Sequence, residues 1–352
     1  MSRLLLSLVV FVLAAAVAEV MLRSHLESKD LARGELAWDT PPWAPPWMEP
    51  GEASLRWRFS PGGDRNSLGL RDREVRPKGP GEHRVLFLGD SLLYFSATTE
   101  STLFPDLVEQ GLSQRLSDRF ESVDVVNAGV PGYTTFQELE FLKLHGLSME
   151  PDRVVLAFVL NDVHYPYLHL PRHDTDLVLD PATRLQRFGT LRLPGRLLRS
   201  SHLAHEGMRV LDQLWGEATG RPHFEFAEMG DQWLAWKRHP WRRTEVLLQE
   251  MRDLLAEREI PLHVLVFPVR EQMDSRKLAE HRDYLLYPQA QLLEITERLE
   301  VDSLDLRPVL AAGGGAALFS DYVHLNAEGN DLIAGEVERW LADLIERELE
   351  RR

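Results

Sequence analysis

Four short apolar runs set the frame of this chain: residues 85–88 (VLFL), 123–126 (VDVV), 154–159 (VVLAFV) and 262–267 (LHVLVF). Each is too short for an ordinary helix and is dominated by apolar and β-branched side chains. They read as strands of a parallel sheet buried on both faces. Amphipathic stretches lie between or after them, over residues 105–120, 135–147, 243–257 and 288–299. A last one runs from Ala327 to about Leu349, with Leu332, Ile333, Val337, Trp340, Leu341, Leu344 and Ile345 on one face and Asn326 as its N-cap. Strands alternating with helices predict an open, mostly parallel, doubly wound α/β sheet, whose ligands meet the carboxyl ends of the strands. Residues 165–240 break the rhythm, with no convincing strand and more length than a connection needs. They read as a helical insertion near the site, with a helix at about 197–214 after the Pro194-Gly195 break.

The chemistry-bearing residues gather at the ends of these strands. The first run leads directly into Gly89-Asp90-Ser91-Leu92, which sets a serine where a nucleophile is needed, although Gly-Asp-Ser is also ordinary turn chemistry. The second ends in Asn127-Ala128-Gly129-Val130-Pro131-Gly132, where glycine lets the backbone aim an N–H at a ligand or simply makes a strand-to-helix turn. The third ends in Asn161-Asp162, either an amide donor or a satisfied turn. Just before the final helix comes Asp321-Tyr322-Val323-His324, in which Asp and His are close enough to pair and to fix the imidazole tautomer. Serine is a poor nucleophile until an imidazole takes its proton, and the tetrahedral intermediate needs donors for its oxyanion. Every component is present, in this order.

With these residues the sequence resembles the SGNH, or GDSL-type, hydrolase superfamily, in bacterial envelope-associated form. The four motif blocks match Gly89-Asp90-Ser91-Leu92, Gly129, Asn161-Asp162 and Asp321 with His324, and the resemblance runs from about Arg84 to the C-terminus apart from the insertion. It implies a flavodoxin-like sheet, Ser91 as nucleophile, His324 as general base and then acid, and Asp321 as the residue orienting His324. It further implies an oxyanion hole made of the Ser91 and Gly129 N–H groups and the Asn161 side chain, with no cofactor. The third block of the family usually carries glycine two residues before the Asn; Val159 stands there in this chain. Upstream, Asn66-Ser67-Leu68-Gly69-Leu70-Arg71 also resembles the preamble of envelope members.

The N-terminus points out of the cytoplasm. Residues 4–18 are apolar except for Ser7, after Arg3, and Ala16-Val17-Ala18 forms a small-x-small cleavage site. Residues 1–23 are therefore a signal peptide or an N-terminal membrane anchor, marginal for the span of about 20 apolar residues that a bilayer needs. Residues 24–83 read as a linker and preamble, with a Pro/Trp strap at 41–47 that holds Trp43 and Trp47 and with Trp38 and Trp57 nearby. The hydrolase domain is then 84–352. The expected location is extracytoplasmic, either anchored or secreted to the periplasm.

Composition narrows the partners. With 40 Lys+Arg against 55 Asp+Glu the net charge is −15, which argues against a nucleic-acid partner. The absence of cysteine excludes disulfides, thiol nucleophiles and cysteine metal sites. His202 with His205, and His164 with His169 and His173, lack zincin spacing, so no metal site is expected. Gly313-Gly314-Gly315 lacks the Lys-Ser/Thr of a phosphate loop and reads as a flexible connection. The expected activity is hydrolysis of small acyl esters through an acyl-enzyme, on an envelope or exported glycan. A glycan O-acyltransferase, a lipid esterase and a non-catalytic envelope binding protein on the same scaffold are the alternatives.

Overall fold

The structure is a computed structural model that describes residues 14–15, 17–18, 20–21, 48–50, 55, 57–95, 103–163, 185–188, 191–194, 232–236 and 238–351. The apolar N-terminal stretch (apart from a few helical residues), the Pro/Trp strap, His164, His169, His173, His202, His205 and the helix expected at 197–214 lie outside them. No helix among the described residues is long and apolar enough to cross a membrane. The chain divides into two units, residues 1–46 with 167–223 and residues 47–166 with 224–352.

The larger unit opens with an antiparallel pair, β1 (Met48–Pro50) and β2 (Trp57–Phe59). The first core strand, β3 (Glu82–Gly89), leads into the single-turn helix α1 (Ser91–Tyr94) and then α2 (Phe104–Arg115). Next come β4 (Ser122–Gly129), α3 (Thr135–Leu144) and β5 (Arg153–Phe158). In the smaller unit, β6 (Leu185–Phe188) and β7 (Leu191–Pro194) form an antiparallel hairpin. The larger unit resumes with α4 (Arg238–Ala256), β8 (Leu262–Val266), α5 (Ser275–Leu285), α6 (Tyr287–Arg298), β9 (Asp302–Asp305), α7 (Arg307–Gly313) and α8 (Ala327–Arg351).

Five parallel strands form the sheet in the order β4-β3-β5-β8-β9. In core-strand sequence this is 2-1-3-4-5, the flavodoxin-like order, so the fold is the doubly wound α/β sheet expected. The chain reverses its direction of winding between β3 and β5, which opens a crevice at their carboxyl ends. Every residue of β3, β5 and β8 is buried, the mark of a sheet covered on both faces. Asn326 caps α8 by accepting the Gly329 N–H at 2.9 Å.

Four expectations need correction. Residues 165–240 contain strands after all, the hairpin β6–β7; its alternation of leucine with polar residues is too short to stand out from a loop. Strand β9 was not foreseen, because its four residues, DSLD, are half-exposed at a sheet edge and carry one apolar side chain. The hydrolase body does not begin at residue 84: Leu55, Phe59, Asn66 and Leu70 are buried, and Gly69 (φ +79) packs where a Cβ would meet the Phe59 carbonyl at 1.8 Å. Nor does the glycine run serve as a slack connection. Gly313 ends α7, and Gly314 and Gly315 take positive φ values of 151 and 61 that a helix C-terminus needs.

Buried cations tie the amino ends of the strands. Arg84 donates to Asp124 at 2.8 Å, Glu82 at 2.7 Å and the Met149 carbonyl at 2.6 Å. Arg153 donates to His83 Nε2 at 3.1 Å and Glu348 at 2.8 Å, and meets His263 Nε2 at 2.8 Å. That last contact requires His263 to accept at Nε2 and carry its proton on Nδ1. Burial, and then the neighbouring Arg153 charge, push the His263 imidazole down to about 3. Unfolded, it takes a proton near 6.5, so between these values the unfolded state holds the extra proton and stability falls as pH falls. His263→Gln keeps an acceptor and cannot be protonated. Its thermal midpoint is expected to drop less than the wild type's between pH 7 and pH 4; equal drops would refute a neutral buried His263.

Candidate active site

At the end of β3, the chain turns within two residues into α1. A Cβ on Gly89 would sit 2.8 Å from Leu93 Cδ1 and 3.1 Å from Ala157 Cβ, so only glycine allows α1 to fold back this closely. Asp90 caps the helix, its carboxylate accepting the Leu92 N–H at 3.0 Å. Ser91, the first residue of α1, thus stands at the carboxyl end of the sheet.

Ser91 Oγ lies 2.8 Å from His324 Nε2, and His324 Nδ1 lies 2.7 Å from Asp321 Oδ2. The other Asp321 oxygen accepts the N–H groups of Val323 and His324 at 2.8 and 2.7 Å. Burial pushes the Asp321 carboxyl up, but the hydrogen bonds from the His324 ring and these two N–H groups outweigh it and hold the group at about 2. It is therefore an anion through the whole working range, and it fixes the proton of His324 on Nδ1. This leaves Nε2 as an acceptor for the serine hydroxyl. The loop that carries the pair is stapled by Ser320 N–H to His324 O at 2.8 Å and Arg270 N–H to Tyr322 O at 2.9 Å. Such an array can withdraw a proton from the hydroxyl as it attacks a carbonyl.

The expected donors are placed differently. Asn161 follows β5, and its amide donates one hydrogen to Asp90 Oδ2 at 2.8 Å while the other has no acceptor among the described residues. Gly129, by contrast, is the last residue of β4 and spends its N–H on Asn127 Oδ1 at 3.0 Å, so it has none to offer. This corrects the expectation for Gly129. Its role is steric: a Cβ there would lie 2.4 Å from Leu93 Cβ and 3.0 Å from the Asp90 carbonyl. On the loop beyond it, half-exposed Gly132 has φ +80 and an N–H with no partner among the described residues. The Ser91 N–H likewise has no partner among them. Val159, where a family glycine usually stands, has no positive φ and donates its N–H to Asp162 Oδ2 at 2.6 Å.

Three residues outside the expected set hold the serine helix. Asn127 Nδ2 donates to the Leu93 carbonyl at 2.9 Å, and Arg71 donates to the Tyr94 carbonyl at 2.8 Å. Asp72 receives the Asn127 N–H at 2.8 Å. Burial, only partly offset by that hydrogen bond, raises the Asp72 carboxyl to about 6. The preamble motif gave the available signal for Arg71: Asn66 accepts the Leu68 and Leu70 N–H groups and so shapes the turn that delivers it. Asp90 is fully buried; burial raises its carboxyl, against the pull of the Leu92 N–H, the Asn161 amide and His324.

A family model described as GDSL-like lipase/acylhydrolase matches residues 87–332, a span that includes Ser91, Asn161, Asp321 and His324. The chain belongs to that family. The hydrolase acts on ester bonds, as the family does. No curated protein matches its sequence. Solved structures similar to it include a lipase/acylhydrolase from Enterococcus faecalis, at 15% identity and TM-score 0.42 over 74% of this chain and 96% of that one. An acetyl xylan esterase matches at 16% identity and TM-score 0.42, over 74% and 98%. A catalytic mutant of an acetylxylan esterase from Geobacillus stearothermophilus matches at 14% and 0.43, over 76% and 95%.

The steric role of Gly129 has a direct consequence. Gly129→Ala must push Leu93, and with it α1, away from β4. The expected result is an esterase kcat lowered at least tenfold, with a thermal destabilisation of about 1–3 kcal/mol. Wild-type turnover in this variant would show that the serine helix tolerates displacement.

Proposed function

We propose that this enzyme is a serine ester hydrolase working through an acyl-enzyme on Ser91. The observation that carries the reading is the hydrogen-bonded chain from Ser91 through His324 to Asp321 at the carboxyl end of the sheet. As Ser91 Oγ attacks the ester carbonyl, His324 Nε2 takes its proton, and Asp321 stabilises the imidazolium. The tetrahedral oxyanion is received by the Ser91 N–H, the second Asn161 amide hydrogen and the Gly132 N–H in place of that of Gly129. Collapse breaks the ester bond; His324 gives its proton to the departing alkoxide and then activates the water that releases the acid.

The substrate we infer is a small acyl group on an envelope or exported glycan, met outside the cytoplasm. The apolar stretch at 4–18 supports that location. The aromatic surface beside the triad supports a bulky acceptor: Phe95 is 48% exposed, and its ring lies 5.5 Å from that of His324, edge to face. An exposed ring at that place suits the apolar face of a sugar.

A fluorophosphonate probe is expected to label Ser91 in wild-type enzyme and not in Ser91→Ala. Asp321→Asn should lose kcat by a factor on the order of 10⁴ while keeping its fold. Absence of labelling in folded protein would sink the mechanism. Among p-nitrophenyl esters, acetate should be turned over best; a preference for long chains would replace the glycan ester with a lipid.

Phe95→Ala separates the acceptor from the acyl group. An aromatic contact is worth about 0.5–1.5 kcal/mol, so KM for an acetylated oligosaccharide should rise about 2- to 13-fold. Turnover of p-nitrophenyl acetate should stay within about twofold. Equal losses on both substrates would place Phe95 in the support of His324 instead.

A further inference from the structure

Beneath the proposed oxyanion site lie two carboxyls that the mechanism does not use. Glu138 on α3 and Asp162 on the turn after β5 are 1% and 0% exposed. Their carboxyl groups lie close enough to interact directly. Asp162 Oδ2 also accepts the Val159 N–H at 2.6 Å, and the Asp162 N–H returns to the Val159 carbonyl at 3.0 Å. These two bonds close the turn on which Asn161 stands. Asp162 Oδ1 and both Glu138 oxygens are buried and have no hydrogen-bond partner among the described residues.

Two ionised carboxylates are both acceptors, so a hydrogen bond between them needs a proton on one. The surroundings keep it there. Burial, then the charges of Asp162 and Asp90, hold the Glu138 carboxyl well above the carboxylate range, and burial with Asp90 does the same to Asp162. No lysine, arginine or histidine among the described residues forms an ion pair with either. Two contacting anions out of water would drive the turn apart. Its displacement would carry Asn161 with it, and through the 2.8 Å bond to Asp90 would disturb the cap of α1.

We propose that Glu138 is a positioning residue: it shares one proton with Asp162, and that hydrogen bond locks the 159–162 turn which presents the Asn161 amide to the oxyanion. Glu138 touches no reacting atom. It acts through Asp162 and the turn, and its effect is felt when negative charge develops on the carbonyl oxygen. The inference rests on the proposed reading of Ser91 as nucleophile and Asn161 as donor.

Two variants and two readouts test it. Glu138→Gln keeps a hydrogen-bond donor and removes the titratable group; Glu138→Ala removes both. In infrared difference spectra at pH 8, wild type minus Glu138→Gln should show the C=O stretch of a protonated carboxylic acid. Wild type minus Asp162→Asn should show the same band. In steady-state assays, Glu138→Ala is expected to lose kcat by about 10- to 100-fold with KM within about twofold, as for a weakened oxyanion donor. Glu138→Gln should recover kcat to within about threefold of wild type, a rescue that fits hydrogen bonding and not charge. A folded Glu138→Ala enzyme with wild-type kcat overturns the proposal, and so does the absence of an acid band from the difference spectra. Should Glu138→Ala fail to fold, Glu138→Gln decides alone: band lost and kcat kept supports the shared proton, and kcat lost overturns it. Ser91→Ala distinguishes the two levels, because full activity in that variant refutes the nucleophile while leaving the acid band untouched.

Discussion

The site is organised around one short helix, α1, held against the sheet end at both its termini. Its entry is possible because Gly89 and Gly129 leave no Cβ between the strands and Leu93. Its exit carbonyls, Leu93 O and Tyr94 O, are taken by Asn127 and Arg71. A helix of four residues has almost no stability of its own, since nucleation costs more than one turn of hydrogen bonds returns. Its geometry is imposed by β3, β4 and the preamble together. Ser91 inherits that precision, and the 2.8 Å approach to His324 across the sheet end depends on it.

The carboxyls of the site divide by environment. Asp321, half-exposed on its loop and given three hydrogen bonds, is held ionised to about 2 and can steady a cation on His324. Asp90, Glu138 and Asp162 are sealed inside, where burial raises each of them. A protein that needed only a stable core would fill those positions with apolar side chains, because buried polar groups cost free energy unless fully paired. Here Asp90 and Asp162 bind backbone N–H groups at the strand ends and fix the turns of the site.

Much of the frame was legible beforehand because its signals are local. Continuous apolar runs identify strands buried on two faces, and four of the five sheet strands announce themselves so. Strand β9 does not, since an edge strand of DSLD needs burial on neither side. Ser91, Asn161, Asp321 and His324 could be named because each sits just after a recognisable run or before a clear helix. Gly129 and Gly132 could not be told apart: both are glycines on the same strand-to-loop passage, and only the direction of an N–H distinguishes steric from donor roles. Glu138 carried no signal, because a glutamate on an amphipathic helix looks solvent-facing until the folded chain buries it.

What the chain's own order of residues determined was the sheet, its parallel sense and the set of groups able to do acyl chemistry, all of which follow from hydrophobic period and residue type. What tertiary structure alone decided was which of those groups meet. Ser91 and His324 come from opposite ends of the domain, and their contact depends on the 2-1-3-4-5 strand order returning the last loop to the end of β3. The ionisation of Asp321 and of the buried carboxyls is likewise a tertiary property. Charge in a protein is set by the water and donors left around a group, and no linear sequence states those before the chain has closed over it.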